Sequence, residues 1–192
     1  MIKVRNAIDL AEKLLEGLKE VDSAAFPEHL RTCNSIYEKY AGNPDMFVLL
    51  YDDAKLIGYM CNFPISKTLG DKMISGEDLS DTDMVDGKID EYLPNNTYSL
   101  YLSTAAILPQ YQGQGLANLL MGGFYEKILD LQTRNVFFDR IIAAAATDGG
   151  KKICAKMGMQ KTRELPGGYD LYTIIGREQI YDIAEKFINR VR

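Results

Sequence analysis

The stretch Leu102–Leu120, "LSTAAILPQYQGQGLANLL", decides how the rest of this chain is read. An apolar segment meets Pro109, passes two closely spaced glycines, Gly113 and Gly115, and runs straight into a helical pattern. Glycine reaches φ > 0 without penalty and leaves no Cβ between the backbone and a ligand. The first turn of a helix carries unpaired N–H groups and partial positive charge. Strand, glycine turn and helix start together make a cradle for a phosphate or pyrophosphate; the simpler alternative is a bare strand-to-helix turn.

Two common phosphate motifs do not fit. A nucleotide P-loop needs a lysine and a hydroxyl residue after its last glycine, and here Leu116 and Ala117 follow Gly115. A dinucleotide fingerprint needs a third glycine, where this chain has Asn118, and a strand leading directly into the turn, where it has "ILPQY".

The segment "AAILPQYQGQGLANLL" instead resembles the acyl-CoA-binding motif of the GNAT superfamily of N-acetyltransferases, an apolar strand, often a proline and an aromatic residue, then Q/R-x-x-G-x-G/A. Two registers fit, Gln110 with Gly113 and Gly115, or Gln112 with Gly115 and Ala117; Pro109 and Tyr111 favour the second. The resemblance spans about Phe47 to Ile175. It implies an α/β (α+β) fold with one mixed, largely antiparallel sheet of about six to seven strands and helices on both faces. It implies acetyl-CoA as cosubstrate, with the backbone of Gln112, Gly113, Gln114, Gly115, Leu116 and Ala117 on the pyrophosphate. Ile107 and Leu108 are then expected on the pantetheine arm and acyl carbonyl, and Thr147 beside them. In that family the motif strand splays from its neighbour, leaving a slot for the pantetheine; Ala143–Ala146 suit such a slot, or equally plain packing beneath a helix.

Acyl transfer to an amine needs a neutral amine, a stabilised oxyanion and a proton for the thiolate. The family's usual acid is a tyrosine within N-x-x-A-x-x-L-Y-x-K-x-G-F. Here "TDGGKKICAKMGM" puts Thr147 for the asparagine, Gly150 for the alanine, Cys154 for the tyrosine and Met159 for the phenylalanine. Cys154 is therefore the candidate acid, with Tyr172 or Tyr169 as substitutes, or water. Glu91, Asp90 and Glu77 are candidate bases, and His29 a candidate lining of the acceptor cleft or a half-exposed helix residue. Cys33 and Cys61 read as core. No histidine pairs with Cys154 by any motif, so direct attack in a ternary complex is expected rather than an acyl-enzyme. A non-catalytic acyl-CoA sensor and a purely structural α/β domain are the competing readings.

Composition bounds the rest. The chain has 192 residues, 46% hydrophobic and 26% charged, which suits one globular domain, 1–192, with an acidic insertion at about 65–96. Pro64–Asn96 holds eight acidic residues and three lysines, a balance equal to the whole chain's −5. That charge disfavours nucleic acid and favours a cationic acceptor: a polyamine, an aminoglycoside, or a protein or peptide amine. A homodimer is compatible with the resemblance. One histidine and three cysteines without ligand spacing predict no metal. The apolar runs fall short of the roughly 20 residues of a membrane span, and the amino terminus lacks a secretion pattern, so no membrane and a cytoplasmic location are expected.

Apolar spacing predicts helices over Asn6–Ser23, Glu28–Tyr40, Gly115–Gln132, Asp148–Met157 and Glu178–Val191. Strands are expected over Met46–Pro64, as a hairpin turning at Asp52 and Asp53, and at Thr97–Leu108, Arg140–Ala146, Met159–Leu165 and Tyr169–Ile175. Between Ile65 and Asn96 the pattern predicts a loop with at most a short helix at "GEDLSDTDMV".

Overall fold

The computed structural model describes residues 2–6, 12–26, 43–77, 87 and 91–191. Their seven strands form one sheet: β1 (Ile2–Asn6), β2 (Phe47–Asp52), β3 (Lys55–Ile65), β4 (Asn96–Ile107), β5 (Val136–Ala145), β6 (Gln160–Leu165) and β7 (Tyr169–Ile175), in the order β1-β2-β3-β4-β5-β7-β6. Every neighbouring pair is antiparallel except β4 with β5. Among the described residues five helices flank the sheet: α1 (Glu12–Ala25), α2 (Lys67–Ser75), α3 (Ala117–Thr133), α4 (Asp148–Lys156) and α5 (Arg177–Val191). The mixed, largely antiparallel sheet matches the expected architecture. None of these helices is long and apolar enough to cross a membrane.

Sheet register assigns the helices to faces. Gly123 of α3 sits so close to the sheet that a Cβ there would lie 2.6 Å from Val4 Cγ1 and 2.8 Å from Val48 Cγ1. Val48, Met60 and Ala105 lie opposite one another across β2, β3 and β4, so this row faces α3. Gly17 of α1 approaches Leu56, and Gly70 of α2 approaches Ser99 and Arg140, which belong to the other face. There Tyr59 donates its hydroxyl to Asp22 of α1 at 2.7 Å, which anchors that helix over β3. Leu14, Leu18 and Val21 of α1, and Ile180, Ala184 and Ile188 of α5, bury the stripes that their three- and four-residue spacing predicts.

Three elements depart from expectation. Ile2–Asn6 is an edge strand, not the entry to a helix: Ile2 and Val4 alternate with charged residues and pair with Asp52 and Leu50. Lys67–Ser75 is a helix inside the expected loop, capped by Ser66 Oγ accepting from Leu69 N at 3.2 Å and ended by Gly76 at φ 77°. Its short length and central Gly70 hide its periodicity, although Leu69 and Met73 are buried. Strand β3 runs through Pro64 to Ile65; β2 pairing stops at Cys61, and past that point proline is tolerated. The expected helix Glu28–Tyr40, with His29 and Cys33, and positions 78–86 and 88–90 of the acidic insertion, which include Asp90 and most of the short helix expected at "GEDLSDTDMV", lie outside the described residues.

Candidate functional site

Strand β4 pairs with β3 up to Ile107 opposite Gly58, but with β5 only up to Leu102 opposite Ala143. Beyond that rung β5 continues with β7 alone, Ala144 facing Leu171 and Ala145 facing Asp170. The two central strands therefore part, and a gap opens between Ser103–Ile107 and the end of β5. A bulge marks the departure. The register passes from Asn62↔Leu102 to Cys61↔Thr104 and skips Ser103, whose Oγ donates to the Cys61 carbonyl at 3.3 Å. An extra residue of this kind bends its strand.

Backbone direction in the gap follows from one hydrogen bond. Leu108 N donates to Ile57 O at 2.9 Å, so Leu108 and, two residues earlier, Ala106 turn their N–H and C=O toward β3. Ala105 and Ile107 turn theirs toward the gap. Of the two residues expected to serve the acyl chain, Leu108 already spends its N–H within the sheet; Ile107 retains its own, and Ala105, which sequence reasoning missed, joins it. Strand alternation alone does not reveal which edge is open.

Past Leu108 the chain makes a single tight turn over Pro109–Tyr111 and enters the glycine segment. Gly113 and Gly115 adopt φ 75° and 77°, and a Cβ at either would meet no heavy atom within 4 Å. Packing does not demand glycine here; left-handed backbone does, and the space in front of it stays open. Two glutamine side chains stitch the turn, Gln112 Nε2 to Ile107 O at 2.8 Å and Gln114 Nε2 to Gln110 O at 3.0 Å. The N–H groups of Tyr111 and Gln112 are bonded to Leu108 O and Pro109 O, and bonding resumes with Asn118 N to Gly115 O at 2.9 Å. Between them, the N–H groups of Gly113, Gln114, Gly115, Leu116 and Ala117 have no acceptor among the described residues. A run of such donors at a helix start matches the chemistry of a pyrophosphate.

Thr147 caps α4, its Oγ1 accepting from Gly150 N at 3.1 Å, at the exit of β5. Asp170, opposite Ala145, accepts from Lys161 at 2.9 Å and Lys151 at 3.0 Å. Hydrogen bonds from Lys161 first and Lys151 second hold its carboxyl below the usual range.

The candidate acid and base residues are scattered. Cys154 is 3% exposed within the core, and burial pushes its thiol up to about 11. A donor held that far above an ordinary thiol of about 8.5 gives up its proton uphill. Tyr172 is buried opposite Ala143, level with the last β4–β5 rung and on the α3 face. Tyr169 opens β7 on the other face and faces Tyr101, whose hydroxyl is pushed up to about 12, by burial first and by Tyr169 second. Tyr101 packs edge-on against Phe63 at 5.5 Å; as one of several strand tyrosines it carries no sequence signal. Glu91 lies elsewhere. Its neighbour Tyr92 packs on Tyr98 at 5.8 Å and Phe138 at 5.9 Å, at the end of β4 remote from the gap. From Asn96 to Ser103 the strand rises about 23 Å at roughly 3.3 Å per residue. Glu77 is exposed just past α2, accepting from Ser75 Oγ at 2.9 Å. Among the described residues no group of His, Cys, Asp and Glu side chains has the arrangement of a metal site.

No family model and no curated protein sequence matches the chain. Solved structures do. The loading GNATL domain of CurA from Lyngbya majuscula superposes with a TM-score of 0.68 at 15% identity, over 91% of this chain and 98% of that one. PaiA N-acetyltransferase from Thermoplasma acidophilum, in complex with coenzyme A, gives 0.55 at 13% identity, over 91% and 99%. A chain of the NatC complex bound to Gag peptide and CoA gives 0.55 at 14% identity, over 92% and 98%. With its strand order, the parting of β4 from β5 and these likenesses, the chain has the fold of the GNAT N-acetyltransferases.

Proposed function

We propose that this chain is a single-domain N-acyltransferase that moves an acetyl or short acyl group from CoA to a primary amine by direct attack in a ternary complex. The observation that carries the reading is the run of unpaired amides from Gly113 to Ala117 placed at the mouth of the β4–β5 gap. The amides would hold the pyrophosphate, Ile107 and then Ala105 would pair with the pantetheine arm as it runs into the gap, and the Ala105 N–H, the deeper of the two, would lie nearer the acyl carbonyl. Thr147, at the exit of β5, would border the same arm.

An alkylamine with a pKa near 10.4 is almost wholly protonated at neutral pH, so the attacking nitrogen must lose a proton first. Neither Glu91 nor Glu77 stands at the gap, and water leading out to solvent is the simplest acceptor. For the departing thiolate, Tyr172, opposite Ala143 at the last rung, is better placed than Cys154, whose raised thiol pKa disfavours donation, and Tyr169 at the start of the same strand is the alternative. The burial of Cys154 also favours a second reading, an acyl-CoA-binding module of this fold that does not turn over. A small cationic amine or a protein or peptide amine is the acceptor class we favour. The NatC structure holds a peptide together with CoA, and the exposed Glu77 and Glu91 belong to the acidic segment.

Calorimetric titration with acetyl-CoA, followed by thiol release across a panel of polyamines, aminoglycosides and peptides, tests the proposal. Micromolar binding with amine-dependent release supports transfer. Binding without release across the panel supports the sensor, and no binding removes both.

A further inference from the structure

Among the described residues, four buried side-chain atoms have no hydrogen-bond partner: Asn62 Nδ2 and Oδ1, the Tyr92 hydroxyl and Lys127 Nζ. Three of the four elements that hold or border them meet beneath α3. Met60 faces α3, as shown by Val48 opposite it, and Asn62 two residues on shares that face. Lys127 follows Gly123, the closest point of α3 to the sheet, by one helical turn. The Tyr92 ring packs on Tyr98, which alternates with Leu100 and Leu102; Leu102 lies opposite Asn62. Lys127 Nζ and the Tyr92 hydroxyl also lie in the field of the same groups, Asp45, Cys61 and Arg134.

An amine that is 2% exposed and an amide that is 1% exposed are unusual without partners, because each forfeits its hydration. A counter-ion within the protein does not resolve the problem: Asp45, the one carboxylate nearby among the described residues, is bonded to Arg134 at 3.0 Å. We propose that Asn62, Tyr92 and Lys127 enclose an internal hydration site, in which ordered water bridges α3, β3 and the segment before β4. The hydrogen-bond inventory selects water. A neutral amine, a carboxamide and a phenol each both donate and accept, and water does the same, whereas a halide only accepts and a metal cation only binds acceptors. Burial, opposed by Asp45 and Cys61 and assisted by Arg134, lowers the Lys127 amine to about 7, so the neutral form is accessible at physiological pH. The site adjoins Leu102, the last residue of β4 before the gap, and sits under the helix that carries the glycine turn at its start.

The test is a crystal structure of the whole chain grown at about pH 8.5 with sodium bromide, joined to oxygen-17 relaxation dispersion, which counts long-lived internal waters in solution. The expected result is water within about 3.2 Å of both Lys127 Nζ and the Asn62 amide, and no anomalous bromide peak. Lys127→Met and, separately, Asn62→Leu should each lose at least one long-lived water relative to the parent chain. A bromide peak at Lys127, a direct Lys127–carboxylate pair, or an unchanged water count in both variants would overturn the proposal.

Discussion

Leu102 and Ala143 form the last rung between β4 and β5, and every backbone group of β4 beyond it that points toward β5 lacks a strand partner there. Amide exchange should report this directly. In the free protein Ala105 and Ile107 should exchange faster than Ala106 and Leu108, which bond to β3. Saturating acetyl-CoA should slow the first two by about tenfold or more and leave the second two unchanged. Equal protection of all four would refute the pairing of ligand with β4.

Gly115→Glu places a carboxylate where phosphate is expected and forces a side chain onto φ 77°. The backbone strain is about 1–2 kcal/mol, small enough for the fold to survive. Acetyl-CoA affinity should fall by at least about 100-fold, or roughly 2.7 kcal/mol, with the circular dichroism spectrum retained. Unchanged affinity in a folded variant would move the phosphate site elsewhere.

Cys154→Ala separates packing from catalysis. If the thiol only fills the core, kcat/KM should stay within about threefold of the parent while denaturation shows a loss of roughly 1–2 kcal/mol. A drop of about 100-fold or more without loss of acetyl-CoA binding would restore Cys154 as the proton donor.

Lys127 makes stability depend on pH with a definite sign. Its folded pKa of about 7 lies below the unfolded value, because burial penalises the ammonium. Between about 7 and 10.4 the unfolded chain binds the extra proton, so this group makes stability rise with pH across that window, by an amount on the order of a few kcal/mol. Below the window its cost is fully present. Lys127→Met should be the more stable form at pH 6, and urea denaturation from pH 6 to 10 should show a flatter slope than the parent.

Asp170 has the opposite linkage. Its carboxyl is held low by Lys161 and Lys151, so its stabilisation is present above the unfolded pKa and disappears as pH falls through the folded one. Asp170→Asn should lower the melting temperature at pH 7, and the difference from the parent should shrink below about pH 4. A constant difference across that range would assign the effect to packing.

Local patterns carried much of this fold. Helices α3, α4 and α5 and the β2–β3 hairpin are visible because apolar spacing, Asp53 at the turn and the glycines act over a few neighbouring residues. The resemblance pointed to a splayed strand, but the rung at which it parts depends on pairing between Leu102 and Ala143, which no local pattern encodes. The β1 strand hid because five residues at a sheet edge draw their stability from β2 rather than from their own sequence. A carboxylate in a long polar segment makes Glu91 a natural candidate base, yet Tyr92 beside it is drawn beneath the opposite end of the sheet by Tyr98 and Phe138. Lys127 reads as one more cation on a helix, and only three-dimensional packing exposes its isolation.

One bond from α3 bears on how the mouth of the gap behaves. The buried Tyr125 hydroxyl donates to the Met157 carbonyl at the end of α4, so the helix that begins at the glycine turn is fastened to the helix that follows β5. The two strands that part beyond Leu102 and Ala143 thus lead into helices that are tied to each other, and the proposed thioester arm would enter between strands whose onward elements are already joined in the free protein.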